Sequence, residues 1–165
     1  HFALEEDSLF ESFKNKTLHR NFMGYSSSKT QLMVGLGVSS ISYSWYSFAQ
    51  NVKTIEEYYE CIQKGELPVY RGHILTSEDL IIRQHILNLM CQFQTSWKNE
   101  DTYFEELPEV LTQLEEMQKD GLITIKNQKI TVLEAGKPFV RNICMAFDLL
   151  LKRKAPETAL FSMTV

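Results

Sequence analysis

Apolar residues recur along most of this chain at the spacing of a helix face. Over 76–93, Ile82, Ile86, Leu89, Met90 and Phe93 fall on one stripe. Thr76 stands where an N-cap is needed, and Glu78 and Asp79 suit the positive end of the helix dipole. A second stripe, Leu107, Val110, Leu111, Leu114 and Met117, predicts a helix over 103–120, with Pro108 in its first turn and Gly121 at its end. Segments 122–125 and 129–133 alternate apolar and polar around Asn127-Gln128, the pattern of a small β-hairpin. Gly136 and Pro138 precede a third long helix over 138–154, with Val140, Ile143, Cys144, Phe147, Leu150 and Leu151 inward. Lys152, Arg153 and Lys154 suit its negative end. The tail from 155 carries no strong signal.

Upstream, 54–64 predicts a helix. Thr54 and Glu57 make a capping box, Ile55, Tyr58, Tyr59 and Ile62 form one face, and Gly65 is the stop. Residues 67–75, with Pro68, Arg71, Gly72 and His73, read as a connector and domain boundary. Residues 1–16 set Leu4, Leu9, Phe10 and Phe13 among acidic residues, a short helix or loop. The stretch 17–46 differs from all of these. Its first half mixes His19, Arg20 and Asn21 with Phe22, Met23 and Tyr25, and Ser26-Ser27-Ser28 reads as a loop. Its second half carries no charge. Met33 to Val38, punctuated by Gly35 and Gly37, reads as a short strand covered on both faces, as in parallel α/β sheets. The serines around Ile41 then lie at a strand's carboxyl end, where such folds place ligands.

Composition narrows the possibilities. The 165 residues suffice for one domain, or one domain and part of another, and 44% hydrophobic with 23% charged is ordinary for a globular protein. A formal net charge of −4 offers no basic surplus for nucleic acid or an anionic membrane. The uncharged run 31–52 has the length of a membrane span, but five serines, two glutamines and an asparagine argue against one. Cys61, Cys91 and Cys144 are too far apart for a zinc site or a disulfide framework and read as buried, reduced thiols of a cytoplasmic protein. Helix, helix, hairpin, helix is the outline of a winged-helix domain. However, the helix that would enter DNA carries Glu105, Glu106, Glu109, Glu115, Glu116 and Asp120 against Lys119, so protein packing is expected instead.

Five motifs then converge in order: LHRNFMGY at 18–25, GLGVSSIS at 35–42, RGHILTSEDLIIRQHILNLMCQF at 71–93, DGLITI at 120–125 and VRNICMAFD at 140–148. Together they resemble the oxygen-independent coproporphyrinogen III oxidase family of radical S-adenosylmethionine enzymes, specifically its C-terminal part. The resemblance implies an α+β, mostly helical chain. Residues 1–52 would be the last piece of the radical barrel, 53–75 a connecting helix and linker, and 76–165 a helical, winged-helix-like domain with a hairpin. It implies an oxidoreductase that turns two propionates of coproporphyrinogen III into vinyls. The cofactors would be S-adenosylmethionine and one 4Fe-4S cluster, which carry the chemistry while the protein positions and shields it. This chain lacks the family's CxxxCxxC cluster loop, so it holds no metal ligands and is expected to be inactive alone.

By the same resemblance, Phe22, Met23 and Ile41 match positions near S-adenosylmethionine, although many members carry glutamine where Met23 stands. His19 and Arg20 are candidates for substrate carboxylates or for anchoring a loop. Arg141 and Asn142 read as capping or interdomain residues. No catalytic residue is expected in this chain. Two other readings remain. One is a haem-binding or chaperone-type relative, for which His73 and His85 would be the available ligands; the other is a non-catalytic interaction module. The chain opens at His1 in mid-pattern, as the C-terminal part of something longer would. The expected partners are substrate and S-adenosylmethionine, with no nucleic acid and no membrane. The full-length protein is expected to be a monomer, and residues 1–50 of the piece alone to self-associate or be disordered.

Overall fold

The computed structural model describes residues 3–149 and Arg153. A sixteen-residue helix, α3 (Ser77–Gln92), is the element onto which much of the remainder packs. Its start is fixed locally. The Thr76 hydroxyl accepts from the Asp79 N–H and the Asp79 carboxylate accepts from the Thr76 N–H, a complete capping box. Its end is a left-handed turn at Phe93 (φ 56°). Ile82, Leu89 and Met90 are buried, as the stripe predicts, and Ile86 and Phe93 pack beside them.

Against α3 lie α4 (Leu107–Gln113), α5 (Glu115–Lys119) and α6 (Val140–Met145). The helix expected over 103–120 starts only at Leu107, with Pro108 in the first turn, and is interrupted at Leu114. The helix expected from 138 is preceded by a 3-10 turn, Glu134–Phe139, and is followed by a turn at 146–147. The inward positions Leu150 and Leu151, with Lys152, Lys154 and the tail, lie outside the described residues. Leu89, Val110, Ile130, Ile143 and Phe147 have no exposed surface. Fully burying a side chain of this class contributes roughly 1.5–3 kcal/mol before entropy is set against it.

The hairpin is present, formed by β8 (Ile123–Ile125) and β9 (Lys129–Val132). Asn127 and Gln128 both take positive φ (53° and 56°), so a two-residue turn follows the strands' right-handed twist. A strand that the pattern does not reveal, β7 (Gln94–Ser96), pairs with the other side of β9.

The upstream part is α+β. A seven-residue helix, α1 (Ser8–Lys14), precedes a hairpin of β1 (His19–Asn21) and β2 (Gly24–Ser26). Four antiparallel strands follow in spatial order: β3 (Leu32–Met33), β4 (Ile41–Ser44), β5 (Ser47–Asn51) and β6 (Val69–Ile74). The helix α2 (Ile55–Gln63) joins β5 to β6, with Thr54 as its N-cap.

Two expectations need correction. The run from Met33 to Val38 is not a doubly covered strand of a parallel sheet, because β3 ends at Met33 and pairs antiparallel. Val34 and Leu36 are 66% and 82% exposed. The glycines serve a pinned loop instead. The buried Asn51 donates through Nδ2 to the carbonyls of Gly35 (3.2 Å) and Gly37 (2.8 Å). The Gly35 N–H donates to Ser42 Oγ and the Gly37 N–H to the Tyr58 hydroxyl, both at 3.1 Å. Residues 67–75 are likewise more than a connector, since β6 pairs along the length of β5. Gly72 belongs there because a Cβ at that position would lie 2.9 Å from the Phe48 carbonyl oxygen.

Candidate functional site

A cavity of about 320 Å³ opens between the β1–β2 hairpin, the four-stranded sheet and α3. Its walls are apolar and aromatic: Phe22 from the hairpin, Tyr43 and Phe48 from the sheet, Ile82 from α3, and Phe147. Tyr43 lies 5.4 Å from Phe48 and 6.4 Å from Phe22, ring centre to ring centre. The hairpin is held over α3 by Tyr25, whose hydroxyl donates to the Met90 carbonyl (3.1 Å).

Arg83 is the polar centre of this wall. Its guanidinium carbon sits 4.4 Å from the Trp45 ring centre, 4.8 Å from Tyr43 and 5.6 Å from Phe48. Nη1 donates to the Trp45 carbonyl (2.7 Å) and Nη2 to the Tyr43 hydroxyl. Burial holds its pKa below the usual arginine value, and Tyr43 only partly offsets this. No carboxylate of the described residues pairs with it. Of the acids lining the cavity, neither Asp79 nor Asp148 forms an ion pair with Arg83. Asp79 is bound by Thr76 and lies 3.2 Å from His73 Nε2, while Glu78 and Glu106 both take Arg153. A second cation, Lys29, has its Nζ 4.9 Å from the Trp45 ring centre.

The residues singled out from sequence divide unevenly around this cavity. Phe22 and Arg20 line it. Arg20 rests over the Tyr25 ring at 5.2 Å. Met23 sits at the hairpin turn, 74% exposed, with its N–H donating to Asn21 Oδ1, and is not in the cavity wall. Ile41 opens β4 opposite Gln50, half-buried and also outside the wall. His19 is buried, its Nε2 has no hydrogen-bond partner, and its ring lies 6.5 Å from Trp45. Burial, then Lys29 and Arg83, hold its pKa below the ordinary histidine value. Arg141 and Asn142 do not cap α6, which begins without a side-chain cap; Arg141 is exposed.

Arg83, Tyr43 and Trp45 were not singled out from sequence. Tyr43 and Trp45 share strand spacing, and Arg83 is a lone cation on the apolar side of α3. Yet 38 and 40 residues of chain separate Arg83 from its partners, and the helical pattern says nothing of them.

The histidines named as haem ligands are committed elsewhere. His85 is buried, with Nδ1 2.7 Å from Thr95 Oγ1 and Nε2 2.8 Å from the Thr102 carbonyl, and it stacks on Phe147. His73 Nε2 faces Asp79. Among the described residues, no group of three or more His, Cys, Asp or Glu side chains could hold a metal ion. No helix there is long and apolar enough to cross a membrane. Burial pushes the thiols of Cys91 and Cys144 up to about 11 and about 12, which makes them poor metal ligands and nucleophiles.

No family model matches the chain. It is similar to proteins named oxygen-independent coproporphyrinogen III oxidase: 36% identical over 160 residues to that of Escherichia coli K12, covering 94% of this chain and 35% of the relative. The Pseudomonas aeruginosa protein is 35% identical over 153 residues, covering 90% of this chain and 33% of the relative. The Thermostichus vulcanus protein is 33% identical over 167 residues, covering 96% of this chain and 50% of the relative. The solved structure of the Escherichia coli coproporphyrinogen III oxidase HemN, a radical SAM enzyme, superposes with a TM-score of 0.83 at 34% identity, covering 91% of this chain and 36% of that one. The chain thus spans about a third of the length of the first of these relatives, and it resembles their C-terminal part.

Proposed function

We propose that this chain is the C-terminal part of an oxygen-independent coproporphyrinogen III oxidase, an oxidoreductase of porphyrin biosynthesis acting in the cytoplasm. The observation that carries the reading is the joint likeness in sequence and shape: about 35% identity over more than nine-tenths of the chain, with a TM-score of 0.83 to an enzyme of that name. In the whole enzyme, S-adenosylmethionine and a 4Fe-4S cluster supply the radical chemistry when bound. The 4Fe-4S cluster is assigned to another part of the protein in this reading. This chain's share of the work is then to bind, orient and exclude water. Residues 1–52, with β6 paired onto β5, adjoin the barrel, α2 links the two strands, and the part from residue 76 forms a winged-helix-like domain over its mouth. The chain alone is inactive.

Within this reading, the β1–β2 hairpin presents Phe22 and Met23 towards S-adenosylmethionine, and the pinned loop from Gly35 delivers Ile41 to the same place. Asn51 gives that loop a fixed shape, which a backbone contact requires. Arg20 and His19 stand on the substrate side of the hairpin. The aromatic walls of the cavity suit the pyrrole rings of a tetrapyrrole.

The test uses the full-length protein. Its cluster is reconstituted without oxygen, and coproporphyrinogen III is supplied with S-adenosylmethionine and a reductant. Appearance of protoporphyrinogen IX with loss of two carbon dioxide molecules is the expected result. Cleavage of S-adenosylmethionine with no decarboxylation of coproporphyrinogen III would overturn the proposal and favour the chaperone-type relative.

A further inference from the structure

Among the described residues, no carboxylate answers the charge of Arg83. A guanidinium drawn into an aromatic wall loses hydration, and a desolvated charge is retained at a cost unless an opposite charge answers it. Its two hydrogen bonds go to neutral oxygens, a carbonyl and a phenol hydroxyl. Lys29 Nζ also lies 4.9 Å from the Trp45 ring centre, and neither carboxylate lining the cavity, Asp79 or Asp148, forms an ion pair with Arg83. Arg153, another guanidinium lining the cavity, is by contrast paired with two carboxylates, Glu78 and Glu106. A guanidinium carries five N–H donors, and the two observed bonds leave others for a ligand.

We propose that Arg83 is the anchor for a carboxylate of an aromatic or tetrapyrrolic ligand, seated in the cavity walled by Phe22, Tyr43, Phe48 and Phe147. This deepens the proposed function and rests on it for the name of the ligand: one propionate of coproporphyrinogen III. The aromatic stack and the two neutral hydrogen bonds fix the guanidinium plane, so little rotamer freedom remains to be lost when the carboxylate arrives. The volume, about 320 Å³, takes one edge of the macrocycle with its side chain and leaves the rest outside. Arg83 is therefore a binding and orienting group, distant in sequence from both the hairpin and the glycine loop.

Two measurements on the full-length protein test this. The first compares Arg83→Gln and Arg83→Lys with the parent in KM and kcat. The expected result is a KM for coproporphyrinogen III raised about tenfold or more in Arg83→Gln, consistent with loss of one charge-assisted hydrogen-bonded pair. Its kcat should stay within about twofold, and Arg83→Lys should recover part of the KM. Arg71→Gln, which removes an exposed guanidinium outside the cavity wall, controls for a general charge effect; its KM should change less than twofold. The second measurement titrates Trp45 and Trp97 fluorescence with coproporphyrin III and with its tetraamide. The parent should bind the acid more tightly than the amide, and in Arg83→Gln the difference should shrink by the same factor. An unchanged KM in both Arg83 variants, with turnover intact, would overturn the anchor and leave the proposed function standing. Carboxylate-dependent quenching lost in Arg83→Gln, in a protein that does not decarboxylate coproporphyrinogen III, would keep the anchor and overturn the function. No preference for the acid over the amide in the parent would overturn the anchor outright.

Discussion

Replacement of His85 tests whether the core around α3 is held by its polar centre as well as by its apolar residues. His85 is only 2% exposed. Its Nε2 faces a carbonyl, that of Thr102, which can only accept, so Nε2 carries the proton. Nδ1 is then an acceptor and takes the Thr95 hydroxyl proton. His85→Phe keeps a ring between Phe104 and Phe147 but strands both partners. Thr95 is buried and feels the full loss, while Thr102 is half-exposed and recovers some water. At roughly 1–3 kcal/mol for each buried polar group left unmatched, the expected cost is about 2–4 kcal/mol. Urea unfolding at pH 7.5 with unchanged slope reads it directly.

The neutral imidazole also makes stability depend on pH. Burial lowers the folded pKa of His85 below its unfolded value near 6.5, and the Thr102 bond only partly opposes this. The unfolded chain therefore binds a proton that the folded one refuses. Stability is complete above about pH 6.5 and declines as pH falls below it, by at most about 1.4 kcal/mol per pH unit for this one group. His19, lowered mainly by burial, adds in the same direction. His85→Gln removes the titration, so its stability should fall less steeply between pH 6.5 and 5 than that of the parent. A His85→Phe variant within 0.5 kcal/mol of the parent, or an unchanged acid slope in His85→Gln, would refute the assignment.

Three further outcomes follow from the same structure. Asn51→Ala releases the carbonyls of Gly35 and Gly37, and amide exchange across 35–40 should accelerate with a stability loss of about 1–2 kcal/mol; exchange no faster than in the parent would count against the pinned loop. Iodoacetamide at pH 8 in native buffer should label Cys61 first and leave Cys91 and Cys144 intact, because Cys61 is partly exposed and the other thiols titrate near 11 and 12; mass spectrometry of the peptides decides. The 165-residue chain in isolation should self-associate through the free edge of β6, where Val69, Tyr70 and Ile74 are exposed, and Tyr70→Lys with Ile74→Lys should abolish it; a monomer at high concentration in sedimentation would contradict this.

What the sequence made legible is explained by what each segment buries. The α3 stripe, the stripe of α4 and α5 and the β8–β9 hairpin each put one face into a shared core, so periodicity reports them. β7 is three polar residues whose only hydrophobic argument is the neighbour it pairs with, so nothing local marks it. β6 hides behind Pro68 and Gly72, and all six of its residues are exposed, which removes the alternation that identifies a strand. The glycine-laced run after Met33 misleads for the opposite reason. Its composition is that of a buried strand, but Gly37 takes a positive φ (89°) and the carbonyls turn in towards Asn51, which no local pattern contains. The candidate site divides likewise. Phe22 and Arg20 came from a resemblance, whereas Arg83 needed the fold to bring β4 against α3.

The uneven burial has a consequence for where function sits. Between 32 and 74, large apolar side chains face outward: Leu32, Val34, Leu36, Ile55, Tyr59, Leu67 and Ile74 are each more than half exposed. So many outward apolar side chains in one stretch are a feature of surfaces that meet other protein. Under the proposed function this is the face that the remaining two-thirds of the enzyme covers. The cavity beside Arg83 lies between β4, β5 and α3. A site walled by this chain's own residues can bind part of a ligand without acting on it. Carboxylate binding and catalysis should therefore separate experimentally. Coproporphyrin III should bind to a full-length protein whose cluster cysteines have been removed, with an affinity within about threefold of the parent and no turnover. A binding constant that collapsed together with the cluster would place the anchor elsewhere.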